Sequence, residues 1–217
     1  MTSYVIIITL EKQIEGMINY MSVPNRISIF RLLLIPVIVL LKTFPYAQFG
    51  FVMPNARIGF VTISYLNFII LAIFIVASIS DMVDGYIARK YNQITTFGKF
   101  VDPIADKVLT TTLFIMFAVD GIIPIVVVLI MIGRDIIVDG LRMLAAEKGI
   151  VMAAGILGKA KTASQMVAIC LILLNNLPFA LFGFPAADIA LWLSLLLSVA
   201  SAFVYFTSMG DVIRDNA

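Results

Sequence analysis

Six apolar stretches, at about residues 27–43, 61–80, 108–119, 122–133, 160–174 and 189–206, run along the chain with short polar connections between them. A helix of about 20 apolar residues crosses a bilayer. In a chain of 217 residues, six such spans take up roughly 120, and the rest suits short loops and one modest polar layer rather than a second domain. Hydrophobic residues make up 62% and charged residues 13% of the chain, and its mean hydropathy is +1.08. These values exclude a disordered chain, a collagen-like repeat and an ordinary water-soluble enzyme. The expected fold is all-α, a polytopic membrane protein with six transmembrane helices. The stretch at 108–119 is too short to span unless its helix starts earlier, near Phe97, and the fourth stretch continues toward Leu144. Pro45, Pro54, Gly121, Gly149, Pro178 and Pro185 mark the breaks.

Residues 1–20 stand apart as a peripheral N-terminal extension, and residues 21–217 form the membrane domain. The run VIIITL is too short to span. No basic segment precedes it and no small-residue cleavage site follows, so a signal peptide is not expected. An amphipathic surface helix and a disordered extension both fit, and Met17 and Met21 are alternative starts. With the N-terminus in the cytoplasm and six spans, Lys12, Arg26, Arg31, Arg89, Lys90, Lys99, Lys107, Arg134, Arg142, Lys148, Lys159, Lys161 and Arg214 fall on the inner side, and Lys42 and Arg57 on the outer side. Positive charge marks the cytoplasmic face. The chain is therefore expected in the cell membrane as a multi-pass protein with both termini cytoplasmic. Of the acids, Asp120 and Asp188 alone fall on outer turns.

Two absences narrow the chemistry. The chain has no histidine, which excludes a Ser-His-Asp triad, a HExxH zinc site and a histidine base. Its single cysteine, Cys170, lies in an apolar run, so no intrachain disulfide and no CxxC knuckle can form. A general base must be Asp, Glu, Lys or Tyr.

The informative segment carries Asp81, Asp84, Gly85, Ala88 and Arg89, then Gly98, Asp102 and Asp106. At about 100° per residue, Asp81, Asp84, Gly85 and Ala88 share a helical arc of roughly 100°, and Gly98, Asp102 and Asp106 one of roughly 80°. Two helices joined by a short loop can then aim four carboxylates at one point, with small residues leaving room for a ligand. Four anions beside lipid must be protonated or neutralised by cations. All-oxygen donors favour Mg²⁺, Mn²⁺ or Ca²⁺ over zinc. Two divalent ions would balance the four charges and hold a pyrophosphate. For any single aspartate, pairing with Arg89, Lys90, Lys99 or Lys107 in a solvated rim serves as well. For four on two faces interleaved with small residues, it serves poorly.

This array, Asp81-x2-Asp84-Gly85-x2-Ala88-Arg89-x8-Gly98-x3-Asp102-x3-Asp106, resembles the signature of the CDP-alcohol phosphotransferase family at every position and spacing. The resemblance covers about Met21 to the C-terminus. It implies six transmembrane helices, a homodimer and a two-metal site at the cytoplasmic end of the second and third helices. By that resemblance Asp81, Asp84, Asp102 and Asp106 bind two Mg²⁺ (or Mn²⁺) ions, and Asp106 is also the general base. Gly85, Ala88 and Arg89 contact the CDP moiety, and Pro24-Asn25 with Arg31 is similar to a segment near the nucleotide site.

The stretches Arg134 to Arg142 and Gly158 to Gln165 resemble the bacterial phosphatidylglycerophosphate synthases, a branch of that family. Arg134, Asp135, Asp139 and Arg142 share a helical arc of roughly 140°. Arg134, Arg142, Lys159 and Lys161 are expected to bind an acceptor phosphate. The competing reading makes them positive-inside anchors reaching for lipid headgroups. Asp135 stands where the resemblance leads one to expect Glu. Asp139 is an additional acid beside the proposed anion pocket and is expected to pair with Arg142 or Lys148. The resulting expectation is transfer of a phosphatidyl group from CDP-diacylglycerol to glycerol 3-phosphate, giving CMP, at the cytoplasmic surface among membrane lipids and with no nucleic-acid partner. The alternatives are the same chemistry on inositol phosphate or serine, and a cation transporter using membrane aspartates.

Overall fold

A computed structural model describes residues 23–90, 96–147, 149 and 155–208, with backbone alone for 23–25, 82, 84, 85, 87–89 and 96–103. Six α-helices account for most of the described residues: α1 (Val23–Thr43), α2 (Tyr65–Lys90), α3 (Thr96–Val119), α4 (Ile125–Glu147), α5 (Ile156–Leu173) and α6 (Ala186–Ser208). Each contains most of one of the apolar stretches, although α4 starts at Ile125 rather than Ile122, and every expected break falls between helices. The third helix does start early, at Thr96, so its carboxylates ride on helix rather than loop.

The second stretch needs a correction. Its first four residues, Val61–Ser64, are not helical but form strand β2, paired antiparallel with β1 (Asn55–Ile58). The pairing sets Ile58 opposite Val61 across the two-residue turn Gly59-Phe60. A tight hairpin turn needs positive φ, and Gly59 supplies it at +62°. Val61 and Ile63 then point one way and pack with Leu177, while the Asn175 side chain donates from Nδ2 to the Thr62 carbonyl at 2.6 Å. The hairpin is thereby fastened to the connection between α5 and α6. In the same connection, Asn176 Oδ1 accepts from the Ala187 amide at 2.9 Å, satisfying one of the donors that a helix start leaves open.

Helix α3 ends on a glycine for a specific reason. Gly121 has φ +71°; its amide returns to the Ala118 carbonyl and that of Ile122 to the Phe117 carbonyl. These are the paired bonds of a Schellman stop, which requires a left-handed residue.

The chain forms two compact units. One contains α1 and the stretch Ala72–Leu109, with Ile38, Phe74, Ala77 and Ala105 buried in it. The other contains Pro45–Leu71 and the chain from Thr110 onward, where α6 packs on both α4 and α5. Its core includes Phe117, Val127, Ile169, Leu173 and Leu191. Among the described residues, α5 and α6 are long and apolar enough to cross a membrane by length and composition. Outward residues of α6 are apolar too: Leu193, Leu196 and Phe203 are all exposed. That is the inverse of a water-soluble surface and suits hydrocarbon as the solvent.

Candidate active site

The backbone places Asp81, Asp84, Gly85, Ala88 and Arg89 in the last turns of α2, and Gly98, Asp102 and Asp106 in the first half of α3. All lie in the same compact unit. Unbroken helix over both segments is the condition for the two narrow carboxylate arcs. The side chains of Asp84, Arg89 and Asp102, with Ala88, Gly98 and Asn25, lie outside the described ones. Those of Asp81 and Asp106 are described, and both are half-buried.

Asp81 has a partner fifty positions away in the chain. Arg31 of α1, with a side chain only 1% exposed, donates from Nη1 to Asp81 Oδ1. Sequence reasoning assigned Arg31 to the nucleotide and Asp81 to a metal; the structure joins them directly. A buried guanidinium that fixes a carboxylate sets the direction of its remaining lone pairs, as outer-shell partners of metal ligands do. By residue type the four aspartates are the all-oxygen donors that Mg²⁺ or Mn²⁺ takes; among the described residues no three such side chains come together at one point. Beside Asp81, a cavity of about 310 Å³ opens between α1 and α2, lined by Arg26, Ile27, Phe30, Ile79, Ser80 and Val83. Its walls are mostly apolar and carry one cation, Arg26, and one hydroxyl, Ser80.

The second group of predicted residues lies in the other unit, on α4 and α5, and it is organised by α6. Lys161, 7% exposed at its side chain, donates to both Asp135 oxygens, at 2.5 and 2.6 Å. Arg134 Nη1 donates to the same carboxylate at 2.7 Å. Arg134 also reaches α6, through Nε to the Ser198 carbonyl at 2.9 Å and Nη2 to Ser201 Oγ at 2.6 Å. One turn further along α6, the Tyr205 hydroxyl accepts from Arg142 Nη2 at 2.5 Å, and the guanidinium carbon sits 4.8 Å from the centre of that ring. The Tyr205 oxygen also accepts from the Gly155 amide at 3.3 Å, at the start of α5.

Three of the four expected acceptor residues, Arg134, Arg142 and Lys161, are thus gathered along one edge of α6. Lys159 is not. Two residues from Lys161, it lies about 200° around α5, and it is exposed. Asp135 is the acid that counters Arg134 and Lys161, leaving one net positive charge in the trio; Asp139 is half-buried. Two arginines and a lysine, backed by hydroxyls and countered by one carboxylate, can receive a phosphate while keeping their own geometry without it.

Sequence reasoning missed the α6 residues. Ser194, Ser198, Ser201 and Tyr205 are all buried. Their spacing of four, three and four is the helical repeat of a single stripe, and that was the available signal.

The sequence model of the CDP-alcohol phosphatidyltransferase family matches residues 21–200. The chain is 38% identical over 193 residues to the CDP-diacylglycerol–glycerol-3-phosphate 3-phosphatidyltransferase of Bacillus subtilis, covering 89% of this chain and 97% of that protein. Proteins of the same name from Mycoplasma genitalium and Rickettsia typhi are 33% and 32% identical, covering 85% of this chain and 82% and 95% of their own lengths.

Proposed function

Because the chain belongs to the CDP-alcohol phosphatidyltransferase family, we propose that it transfers the phosphatidyl group of CDP-diacylglycerol to glycerol 3-phosphate, giving phosphatidylglycerophosphate and CMP in phospholipid synthesis. The observation that carries the reading is the array of eight spaced residues on two consecutive helices. The acceptor is taken from the relatives, which are named for glycerol 3-phosphate and match over most of their lengths. A family of transferases retires the cation-transporter alternative.

Asp81, Asp84, Asp102 and Asp106 hold two Mg²⁺ or Mn²⁺ ions, which when bound supply Lewis-acid stabilisation to the pyrophosphate. Arg31 holds Asp81 in its liganding orientation. Gly85, Ala88 and Arg89, with Asn25 nearby, receive the CDP moiety. Asp106 accepts the proton of the acceptor hydroxyl. The hydroxyl oxygen forms a bond to the phosphorus bearing diacylglycerol, the bond from that phosphorus to the CMP oxygen breaks, and CMP departs. Arg134, Arg142 and Lys161 take the acceptor's phosphate, with Lys159 supplying charge from the surface.

In this reading residues 21–217 are a six-span membrane domain with its site and both termini on the cytoplasmic side, and residues 1–20 are a peripheral extension. The domain works as a homodimer among membrane lipids. The positive-inside bias supports the orientation. Purified protein given CDP-diacylglycerol and Mg²⁺ should release CMP with glycerol 3-phosphate and not with inositol phosphate or serine. EDTA should stop the release, and Mg²⁺ or Mn²⁺ should restore it. Release with serine alone would refute the acceptor, and full activity in EDTA would refute the metals.

A further inference from the structure

The Arg142–Tyr205 contact has no role in the chemistry set out above, yet its geometry is unusually constrained. The Tyr205 ring stacks on the guanidinium carbon at 4.8 Å, while its hydroxyl oxygen accepts from Arg142 Nη2. One aromatic residue thereby fixes both the position of the charge and its rotation. Arg142 Nε is itself a buried donor with no acceptor among the described residues. Burying a donor unpaired is costly, and an arriving oxyanion is the kind of group that compensates it.

We propose that Tyr205 is a positioning residue for the acceptor: it does not touch the acceptor, but sets the plane of Arg142 so that its remaining N–H groups meet the phosphate. This rests on the reading of Arg142 as a phosphate ligand. Ser201 stands in the same relation to Arg134, one turn earlier on α6.

The Tyr205→Phe variant tests the idea, because it keeps the ring under the guanidinium and removes only the oxygen. The expected result is a KM for glycerol 3-phosphate raised about tenfold, the scale of a lost hydrogen bond to a charged group. The KM for CDP-diacylglycerol and kcat should stay at parental values, while the melting temperature falls by a few degrees because Arg142 Nη2 and the Gly155 amide lose their acceptor. In an Arg142→Ala background the same change should lower kcat/KM no further, since Tyr205 then has nothing to orient. Arg142→Lys keeps the charge but loses the planar contact; it should reproduce the selective KM effect, and it serves if Tyr205→Phe does not fold.

An equal rise in both KM values, an unchanged acceptor KM, or an undiminished effect without Arg142 overturns the proposal. A wild-type protein that ignores glycerol 3-phosphate refutes the functional reading. One that uses it while Tyr205→Phe and Arg142→Lys keep the parental KM refutes the positioning role alone.

Discussion

Replacing Asp135 with Asn removes a charge and almost nothing else. The amide has nearly the same size, yet Lys161 and Arg134, whose side chains are 7% and 10% exposed, then share a poorly hydrated space with no counter-charge. Breaking a buried ion pair by removing one partner costs about 3–5 kcal/mol. Asp135 is itself 17% exposed, so water relieves part of the cost, and the low end, about 3 kcal/mol, applies. For a chain of this length each kcal/mol lowers the melting temperature by about 2–4 °C, giving a fall of roughly 6–12 °C. Asp135→Glu keeps the charge and should melt close to the parent. The double variant Asp135→Asn/Lys161→Met removes cation and anion together, so its loss should be smaller than the sum of the single losses by about 1 kcal/mol or more. The assay is the fraction of detergent-purified protein that remains monodisperse after heating, at one fixed scan rate because such unfolding is commonly irreversible. If Asp135→Asn melts within about 2 °C of the parent, or the single losses simply add, the triad is not a buried, mutually dependent unit and the reasoning fails.

Asp106→Asn should lower CMP release by about 10²–10⁴-fold, the range for a lost general base, while the protein elutes as the parent does; near-normal release would refute that role. Gly59→Val forces a β-branched residue to a φ of +62° and sets its Cβ 3.1 Å from Leu181 Cδ2. A left-handed residue costs roughly 1–2 kcal/mol, so the melting temperature should drop by several degrees, and an unchanged melting curve would show that the hairpin is not fastened as described.

What was readable in the sequence follows from the physics of each element. Long apolar runs bounded by Pro and Gly located the six helices, although α2 runs on to Lys90, ten residues past its apolar stretch, and the span-length requirement alone moved the start of α3 back into the polar stretch. The hairpin escaped because Val61–Ser64 abuts a helix that is apolar from its first turn, and two alternations are too few to stand out from the run beside them. The aspartate array was visible because its period is local to each helix. The Arg31–Asp81 pair was not, since its members are fifty positions apart and only folding joins them. The hydroxyl stripe on α6 was overlooked because serine scattered in an apolar helix reads as small filler. Its partners, the arginines of α4, lie 67 and 63 positions earlier in the chain, and only folding joins them.

That stripe has a mechanical meaning. A wholly apolar helix in hydrocarbon is free to roll, because every azimuth offers its neighbours much the same surface. α6 is not free in this way. Rolling it by one residue, about 100°, would carry Ser201 and Tyr205 away from Arg134 and Arg142 toward lipid tails, which offer them no partner. The hydroxyls act as a key in a slot: the greasy side floats, the notched side admits one angular setting, and the cations of the neighbouring helices inherit their aim from it.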